Sequence, residues 1–306
     1  MGQTVSVLRT MEVDRPRLEG TIAVRGKRRL GFAAFGTPTG RPVFWLHGTP
    51  GARRQIPVEA RRLADEHDLR IIGIDRPGIG SSTAHVYDNV LDFAYDLEIV
   101  ADSLGIDTFH VIGLSGGGPY TLATSVAMPD RVLGLEVIGG VAPVVGPDRV
   151  GGGAVALAAT FAPLLSAGRV PVSFGLTQLV RVLRPFGGPV IELYRVVQPA
   201  GDRRLLGRPE FKAMFLDDLV NGSRKQISAP VSDLLLFTRD WGFRLADVKA
   251  PVRWWHGDGD HIVPLRHGEH CVERLPHAEL LVIEGESHLG GLAVAEDILQ
   301  GLLRTG

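Results

Sequence analysis

Short apolar runs alternate along this chain with segments of helical periodicity. Residues 42–46 and 69–74 are apolar at nearly every position, which predicts strands that are covered on both faces of a sheet. Residues 53–67 and 90–104 instead place apolar side chains three and four positions apart, as an amphipathic helix does. This alternation predicts an α/β fold, with a mostly parallel central sheet and helices on both of its faces.

The same alternation extends toward both ends of the chain. Residues 21–24 and 29–35 predict two short strands that are joined near Gly26 and pair as an antiparallel start. Further strands are predicted at residues 109–112, 132–138, 251–255 and 279–283, and further helices at residues 120–128, 265–275 and 292–303.

The alternation stops between residues 141 and 240. This segment is rich in glycine and has no convincing buried strand, but it contains helix-like pieces at residues 176–183, 191–197 and 210–221. We therefore predict a core made of residues 1–140 and 241–306, with residues 141–240 inserted into it as a helical cap, or lid. An insertion at this point lies above the C-terminal edge of a parallel sheet, where such sheets bind ligands.

One part of the predicted cap is unusually apolar, because no charged side chain lies between Arg149 and Arg169. With its glycines and a proline, the stretch is only weakly hydrophobic for a transmembrane helix, which needs about 20 strongly apolar residues. We therefore predict no stable membrane insertion and interpret residues 150–168 as an apolar helix buried over a pocket. Phe161 and Leu164 would then favour a lipophilic substrate, although packing within the lid explains them equally well.

Composition narrows the classes of protein to which the chain can belong. The 306 residues carry a formal net charge of −1, so nothing indicates a nucleic-acid-binding surface. The one cysteine, Cys271, falls in a predicted surface helix and cannot form an internal disulfide, and the N-terminal residues lack the apolar core of a signal peptide. We predict a cytoplasmic location, a small molecule as partner and no cofactor; the sequence does not indicate the oligomeric state.

The most informative stretch runs from the strand predicted at residues 109–112 through Gly113, Ser115 and Gly117 directly into a helix. A Gly-x-Ser-x-Gly sequence in this context forms a tight turn, which strains the backbone of the serine and needs neighbours without side chains. The serine hydroxyl is then exposed above the end of the strand, near the free N–H groups of the helix. Ser115 is therefore a candidate nucleophile.

A serine hydroxyl is a weak nucleophile, so it needs a base, and the base needs an acidic group that orients it. Downstream of Ser115, the strand predicted at residues 251–255 is followed by Asp258 and Asp260, and the next strand is followed by His288. The chain order is therefore serine, aspartate, histidine, with two aspartates available for the acidic role.

Several motifs together resemble the α/β-hydrolase fold superfamily over nearly the whole chain outside the insertion. They are the serine turn, His-Gly-Thr-Pro-Gly at residues 47–51, Asp-Arg-Pro-Gly at residues 75–78, Gly-x-x-Asp-x-x-Val-Pro at residues 257–264 and Ser-His at residues 287–288. Taken together, these motifs are specific for the fold and poorly specific for the reaction.

The resemblance implies a role for each candidate residue. Ser115 is implied as the nucleophile, His288 as the general base and Asp260 as the acid, because Asp260 stands at the family's position ahead of the x-x-Val-Pro turn. The backbone N–H groups of Thr49 and Gly116 are implied as the oxyanion hole.

Other polar residues near these motifs receive structural interpretations. The resemblance makes His47 a structural part of its loop, and we interpret residues 75–78 as a turn that anchors that loop. His256, Asp258 and Asp260 have the residue types and close spacing of metal ligands, faintly like metallo-β-lactamases. That motif belongs to a different fold and leaves the serine turn unexplained, so we predict no metal.

A Ser-His-Asp site with two backbone donors suits attack on a carboxylic ester or a related acyl carbon. Within the superfamily, epoxide hydrolases and haloalkane dehalogenases carry aspartate in place of Ser115, and Thr49 departs from the Gly-Gly-Pro-Gly loop of proline iminopeptidases. We therefore predict a carboxylesterase-like serine hydrolase that acts on a small, lipophilic substrate. C–C bond hydrolysis, perhydrolysis, acyl transfer and a hydrolase-fold receptor with little turnover are the alternatives.

Overall fold

The computed structural model describes residues 13–304 of the chain. Residues 1–12, on which much of the signal-peptide prediction rests, lie outside this range. Within it, one sheet contains the strands β1 (Leu18–Val24), β2 (Arg28–Gly36), β3 (Arg41–Leu46), β4 (Leu69–Ile74), β5 (Phe109–Leu114), β6 (Val132–Ile138), β7 (Val252–Gly257) and β8 (Ala278–Ile283).

The strands lie in the order β1-β2-β4-β3-β5-β6-β7-β8. β2 pairs antiparallel with both β1 and β4, and the remaining neighbours pair in parallel. The predicted antiparallel start and parallel sheet are therefore confirmed. β5 lies between β3 and β6, so the turn that follows β5 opens at the middle of the sheet's C-terminal edge.

The helices are α1 (Val58–Glu66), α2 (Leu91–Ser103), α3 (Gly118–Ala127), α4 (Gly153–Thr160), α5 (Ala162–Ala167), α6 (Arg169–Leu183), α7 (Gly187–Val196), α8 (Ala200–Gly207), α9 (Pro209–Gly222), α10 (Ala229–Phe237), α11 (Arg266–Val272) and α12 (Ala295–Arg304). Short 3₁₀ turns lie at Arg25–Lys27, Ser115–Gly117, Arg184–Phe186, Leu245–Asp247 and Gly290–Val294. Between β6 and β7 the described chain forms helices, α4–α10, which we call the inserted helices.

The sheet separates two apolar cores, because successive side chains of a strand point to opposite faces. In β3, Phe44 and Leu46 pack with α2, α3 and α11 on one face. Val43 and Trp45 pack with α1 and α12 on the other face. Both faces of the sheet are therefore covered by helices, which is why the central strands are apolar at nearly every position.

One predicted helix begins later than its periodicity suggests. The pattern predicts a helix from residue 53, whereas α1 begins at Val58. The N–H groups of Arg53 and Arg54 donate instead to the side chains of Asp75 and Asp218, at 2.8 and 3.1 Å. These distant acceptors hold residues 53–57 as part of a loop, which tertiary contacts and not local propensity determine.

The apolar stretch at residues 150–168 is not buried over a pocket, so that prediction was wrong. Phe161 is 56% exposed and Leu164 is 73% exposed, and Val155 is the buried side chain of α4. Other inserted helices provide the apolar wall of the cavity, as described below. No helix within residues 13–304 is both long enough and apolar enough to cross a membrane.

Helix α11 lies at the surface, as predicted, with Arg266 and Glu269 exposed, but the side chains of Cys271 and His267 belong to its buried face. Cys271 is completely buried, and His267 is 1% exposed. Cys271 packs among the apolar side chains of one core, where burial raises the pKa of its thiol. A buried, protonated thiol is a poor nucleophile, so Cys271 behaves as a small apolar core residue.

Candidate active site

Ser115 follows β5 in a strained turn. Its φ angle is 51°, a left-handed conformation that is uncommon for a residue with a side chain. A Cβ atom added to Gly113 would lie 2.1 Å from the Thr121 hydroxyl oxygen, and one added to Gly117 would lie 2.1 Å from the carbonyl oxygen of Leu46. The two glycines therefore allow the close approach of β3 and α3 that presents the serine above the sheet.

We expect Gly117→Ala to destabilise the fold by about 3 kcal/mol, because the new methyl group meets backbone that has no room to move. Denaturant midpoints measure the loss. Gly175→Ala is the matched control, since Gly175 lies in α6 with no atom within 4 Å of its added Cβ. Equal midpoints for the two variants would contradict the tight turn.

Three candidate side chains form a continuous chain of hydrogen bonds. The hydroxyl oxygen of Ser115 lies 2.8 Å from Nε2 of His288, and Nδ1 of His288 lies 2.6 Å from Oδ2 of Asp260. Asp260 follows β7 and His288 follows β8, so both reach Ser115 from the same edge of the sheet. With its proton on Nδ1, His288 donates to Asp260 and accepts the hydroxyl proton of Ser115 at Nε2.

Asp260 is held in its ionised form. Its Oδ1 atom accepts hydrogen bonds from the N–H groups of Ile262 and Val263, both at 2.9 Å. Burial alone would raise the pKa of Asp260, but interactions with His256 and His288 and the N–H of Val263 hold it well below the ordinary aspartate value. A carboxylate in this state can accept the Nδ1 proton of His288 at any pH near neutrality.

The rival aspartate points elsewhere, because Oδ1 of Asp258 accepts the N–H of Gly285 at 2.8 Å. His256 accepts a hydrogen bond from Trp254 at Nδ1 and donates from Nε2 to the carbonyl of Val263. Nε2 of His256 also lies 3.5 Å from Oδ2 of Asp260, whereas Asp258 has its hydrogen-bond partner elsewhere. Within residues 13–304, no group of three or more metal-ligating side chains comes together.

The loop after β3 packs against the serine turn. A Cβ atom on Gly116 would lie 2.4 Å from Oγ1 of Thr49, so the loop after β3 closely approaches the serine turn. The backbone N–H groups of Thr49 and Gly116 donate to no acceptor in the described part of the chain. An oxyanion hole requires N–H donors that are free to bind the substrate, so both groups remain candidates for that role.

A cavity of about 560 Å³ opens onto Ser115, His288 and Thr49. Its wall is predominantly apolar, and much of it comes from the inserted helices α6, α7 and α9. These helices contribute Leu176, Val180, Ile191, Tyr194, Phe215 and Leu219. The cavity therefore suits an apolar group next to the serine hydroxyl.

A buried ion pair lies behind residues 47–57, the loop after β3 that contains the candidate donor Thr49 and that we call the oxyanion loop. The sequence did not predict this ion pair. Nε and Nη2 of Arg76 donate to Oδ2 of Asp233 at 2.9 and 2.8 Å, and Arg76 also donates to the carbonyl oxygens of His47 and Gly48. Burial and the charge of Arg76 lower the pKa of His47 well below its ordinary value. The anchoring role predicted for residues 75–78 is thus performed by Arg76, with a partner from α10.

Asp218 of α9 is the one acidic side chain among the described residues that line the cavity. It is 5% exposed and accepts the N–H groups of Ala52 and Arg54. Burial and the nearby Asp75 carboxylate raise the pKa of Asp218 to about 7. Folding therefore favours the protonated form of Asp218 between about pH 4, where a free aspartate ionises, and about pH 7.

We expect this proton to make the free energy of unfolding decrease as the pH rises from about 4 to about 7, by about 1.4 kcal/mol for each unit by which the pKa is raised. In Asp218→Asn this decrease is absent, so the stability of the variant relative to the wild type improves toward higher pH. Calorimetric Tm values from pH 4 to 8 measure the difference. Asp130→Asn, at an exposed aspartate, is the control, and equal slopes in the two variants would contradict the assignment.

A mostly parallel sheet with a strained serine turn at the end of a central strand is the architecture of the α/β-hydrolase class. The family model of the alpha/beta hydrolase fold matches residues 41–292 of this chain. The chain therefore belongs to the α/β-hydrolase family, which confirms the resemblance that the sequence motifs indicated.

Two curated relatives that the chain resembles are both named as proline iminopeptidases. The chain is 36% identical over 127 residues to a probable proline iminopeptidase of Leptolyngbya boryana, a match that covers 40% of this chain and 39% of the relative. It is 35% identical over 133 residues to the proline iminopeptidase of Neisseria gonorrhoeae, which covers 42% of each chain. The matched stretches thus span about two fifths of these relatives.

Solved structures resemble the chain over a much greater length. An esterase from Thermogutta terrifontis has a TM-score of 0.64 at 21% identity, and the match covers 94% of this chain and 98% of the esterase. A bromoperoxidase from Bacillus anthracis has a TM-score of 0.65 at 20% identity, and the match covers 94% of this chain and 100% of the bromoperoxidase. At this identity the likeness establishes the fold alone.

Proposed function

We propose that this protein is a serine hydrolase that cleaves a carboxylic ester of a small, lipophilic molecule. The observation that carries the proposal is the hydrogen-bonded series Ser115–His288–Asp260, which opens onto a predominantly apolar cavity. Residues 141–240 act in this proposal as a cap, because the inserted helices supply the wall against which the substrate lies.

The geometry supports a two-step acyl transfer. Oγ of Ser115 attacks the ester carbonyl carbon while Nε2 of His288 takes the hydroxyl proton, and Asp260 stabilises the imidazolium that forms. The N–H groups of Thr49 and Gly116 donate to the oxyanion, and its collapse releases the alcohol with the proton from His288. Water, deprotonated by the same histidine, then attacks the acyl-enzyme and releases the acid.

The test is hydrolysis of p-nitrophenyl esters from acetate to laurate by the full chain. We expect a burst of p-nitrophenol equal to one acyl group per active site or steady turnover, with kcat/KM increasing as the acyl chain begins to fill the apolar cavity. Absence of both the burst and the turnover for every acyl chain length would refute the proposal. That result would favour a hydrolase-fold receptor with little turnover.

The curated relatives support a second candidate, hydrolysis of peptides that begin with proline. Only one residue of the loop after β3, Thr49, departs from the Gly-Gly-Pro-Gly sequence of that class. A peptide with a free N-terminal proline brings a cationic amine, which needs an acceptor in the cavity. Asp218 is the carboxylate that lines it, and that side chain already accepts two N–H groups and has a raised pKa, so the cavity favours the neutral ester.

The two candidates are separated by comparing kcat/KM for p-nitrophenyl butyrate with that for a proline β-naphthylamide. We expect the ester to be preferred, and a preference for the amide would transfer the proposal to peptidase chemistry. The same three side chains could also perform C–C bond hydrolysis, perhydrolysis or acyl transfer. Assays with a dicarbonyl compound, with hydrogen peroxide and with an alcohol as acyl acceptor test these three reactions. The proposed location is the cytoplasm, with the thiol of Cys271 reduced and buried.

A further inference from the structure

Three aspartates of the inserted helices are buried against the loops that carry the candidate catalytic groups. Asp202 in α8, Asp218 in α9 and Asp233 in α10 are 1%, 5% and 4% exposed. A buried carboxylate is costly unless its oxygens accept hydrogen bonds. The carboxyl oxygens of all three aspartates accept hydrogen bonds from donors in the loop after β3 or in the loop after β8.

Asp233 contacts the oxyanion loop directly. Its Oδ2 atom accepts the hydroxyl proton of Thr49 at 2.8 Å, and its Oδ1 atom accepts that of Tyr120 at 2.8 Å. The same carboxylate orients Arg76, whose Nη2 donates to the carbonyl oxygen of Gly48 at 2.9 Å.

That carbonyl belongs to the same peptide group as the N–H of Thr49. In a planar trans peptide the C=O and the N–H point in opposite directions. Since Arg76 binds the carbonyl of Gly48 on the buried side, the Thr49 N–H is turned away from Arg76 and toward the cavity that Thr49 lines. Asp233 therefore sets the direction of a proposed oxyanion donor without touching the substrate.

Asp202 makes the corresponding contacts around the base. Its Oδ1 atom accepts the hydroxyl proton of Ser287 at 2.5 Å and the N–H groups of Leu289 and Gly290 at 2.8 and 3.0 Å. These residues flank His288 on both sides in the chain. The imidazole is thus attached to a segment that one carboxylate of α8 holds at three points.

We propose that Asp202 and Asp233 are positioning residues, through which the inserted helices align the base and the oxyanion donor. The proposal rests on the proposed function, because it assigns roles to the same serine site. Asp218 strengthens the arrangement by accepting the N–H groups of Ala52 and Arg54 farther along the oxyanion loop. The helices that form the substrate wall and the groups that perform the chemistry are consequently assembled together.

The experiment uses isosteric variants of the full chain. Asp233→Asn and Thr49→Val remove the contact to the oxyanion loop, and Asp202→Asn removes the contact to the histidine segment. Thr49→Ser keeps the hydroxyl and is the conservative rescue. Glu192→Gln is the matched control, because Glu192 is a carboxylate of α7 that pairs only with Arg195 and Lys212 among the described residues.

The readout is kcat for each enzyme molecule that a fluorophosphonate titrates at Ser115. We expect kcat per titrated site to fall about 10- to 100-fold in the three disrupting variants, with KM within about twofold, since a displacement near 1 Å costs on this order. Glu192→Gln retains wild-type kcat, and Thr49→Ser recovers most of the kcat that Thr49→Val loses, because its hydroxyl can still donate to Asp233. A merely structural role lowers the titratable fraction and leaves kcat per site unchanged, and that outcome would overturn the proposal.

Amide hydrogen exchange of residues 48–55 and 286–290 gives a second measurement that does not need turnover. We expect faster exchange in these segments for Asp233→Asn and Asp202→Asn, respectively, than for Glu192→Gln. If the wild type neither hydrolyses esters nor reacts with the fluorophosphonate, the proposed function fails, and exchange alone decides the positioning role. Exchange equal to that of the control would then refute it. If an aspartate variant does not fold, Thr49→Val and Ser287→Ala test the same contacts.

Discussion

Replacement of Ser115 by alanine is expected to reduce kcat for p-nitrophenyl ester hydrolysis by about 10⁴-fold or more. The variant keeps the oxyanion donors and the apolar cavity, but it has no oxygen nucleophile and forms no acyl-enzyme. Steady-state rates and the loss of fluorophosphonate labelling measure the effect. The fold is expected to be unchanged, because alanine occupies less space at the same backbone position.

Ser125→Ala is the matched control for this loss. Ser125 lies in α3, the helix that follows the serine turn, and its hydroxyl is buried without a hydrogen-bond partner in the described structure. We expect this variant to retain wild-type kcat and Tm. Labelling that persists in Ser115→Ala, or that maps to a different peptide, would show that the nucleophile lies elsewhere.

Asp260→Asn is expected to lower kcat by about 10⁴-fold with little change in fold. An amide nitrogen in place of Oδ2 cannot accept the Nδ1 proton of His288, so the imidazole presents its proton to Ser115 and can no longer act as the base. The N–H groups of Ile262 and Val263 still find an acceptor in the remaining amide oxygen.

Asp258→Asn distinguishes the two aspartates. Its side chain accepts the N–H of Gly285, a contact that an amide oxygen can also make, so kcat is expected to stay within about twofold of the wild type. Full activity in Asp260→Asn, together with a large loss in Asp258→Asn, would reassign the acid. Equal, modest losses in both variants would leave the histidine without a specific partner.

The core of the fold was predictable because its strands are covered on both faces. Periodicity alone separates such apolar strands from amphipathic helices, and the alternation of the two implies parallel pairing. For the inserted helices, periodicity did not predict which of them line the cavity. Which of several apolar helices lines a cavity depends on packing between them, and the stretch at residues 150–168 proved to be exposed while α6, α7 and α9 form the wall.

The candidate triad was predictable for a related reason. Ser115 and His288 each follow a strand, as do the two rival aspartates, so their order places these groups at one edge of the sheet. The choice of Asp260 over Asp258 came from the resemblance to the family. Asp233 follows no strand and belongs to no motif, and its partner Arg76 lies 157 positions away in the chain. Nothing in the local sequence indicates that a carboxylate of α10 will meet an arginine behind the oxyanion loop.

The inserted helices leave the sheet after β6 and return at β7, and these two strands are neighbours with Val137 paired to Trp254. A graft at this junction therefore exchanges one set of helices for another without altering strand order. Such a chimera would have a new cavity wall. To remain active, a transplanted segment must bring its own acceptors for the Thr49 hydroxyl and for the N–H groups beside His288.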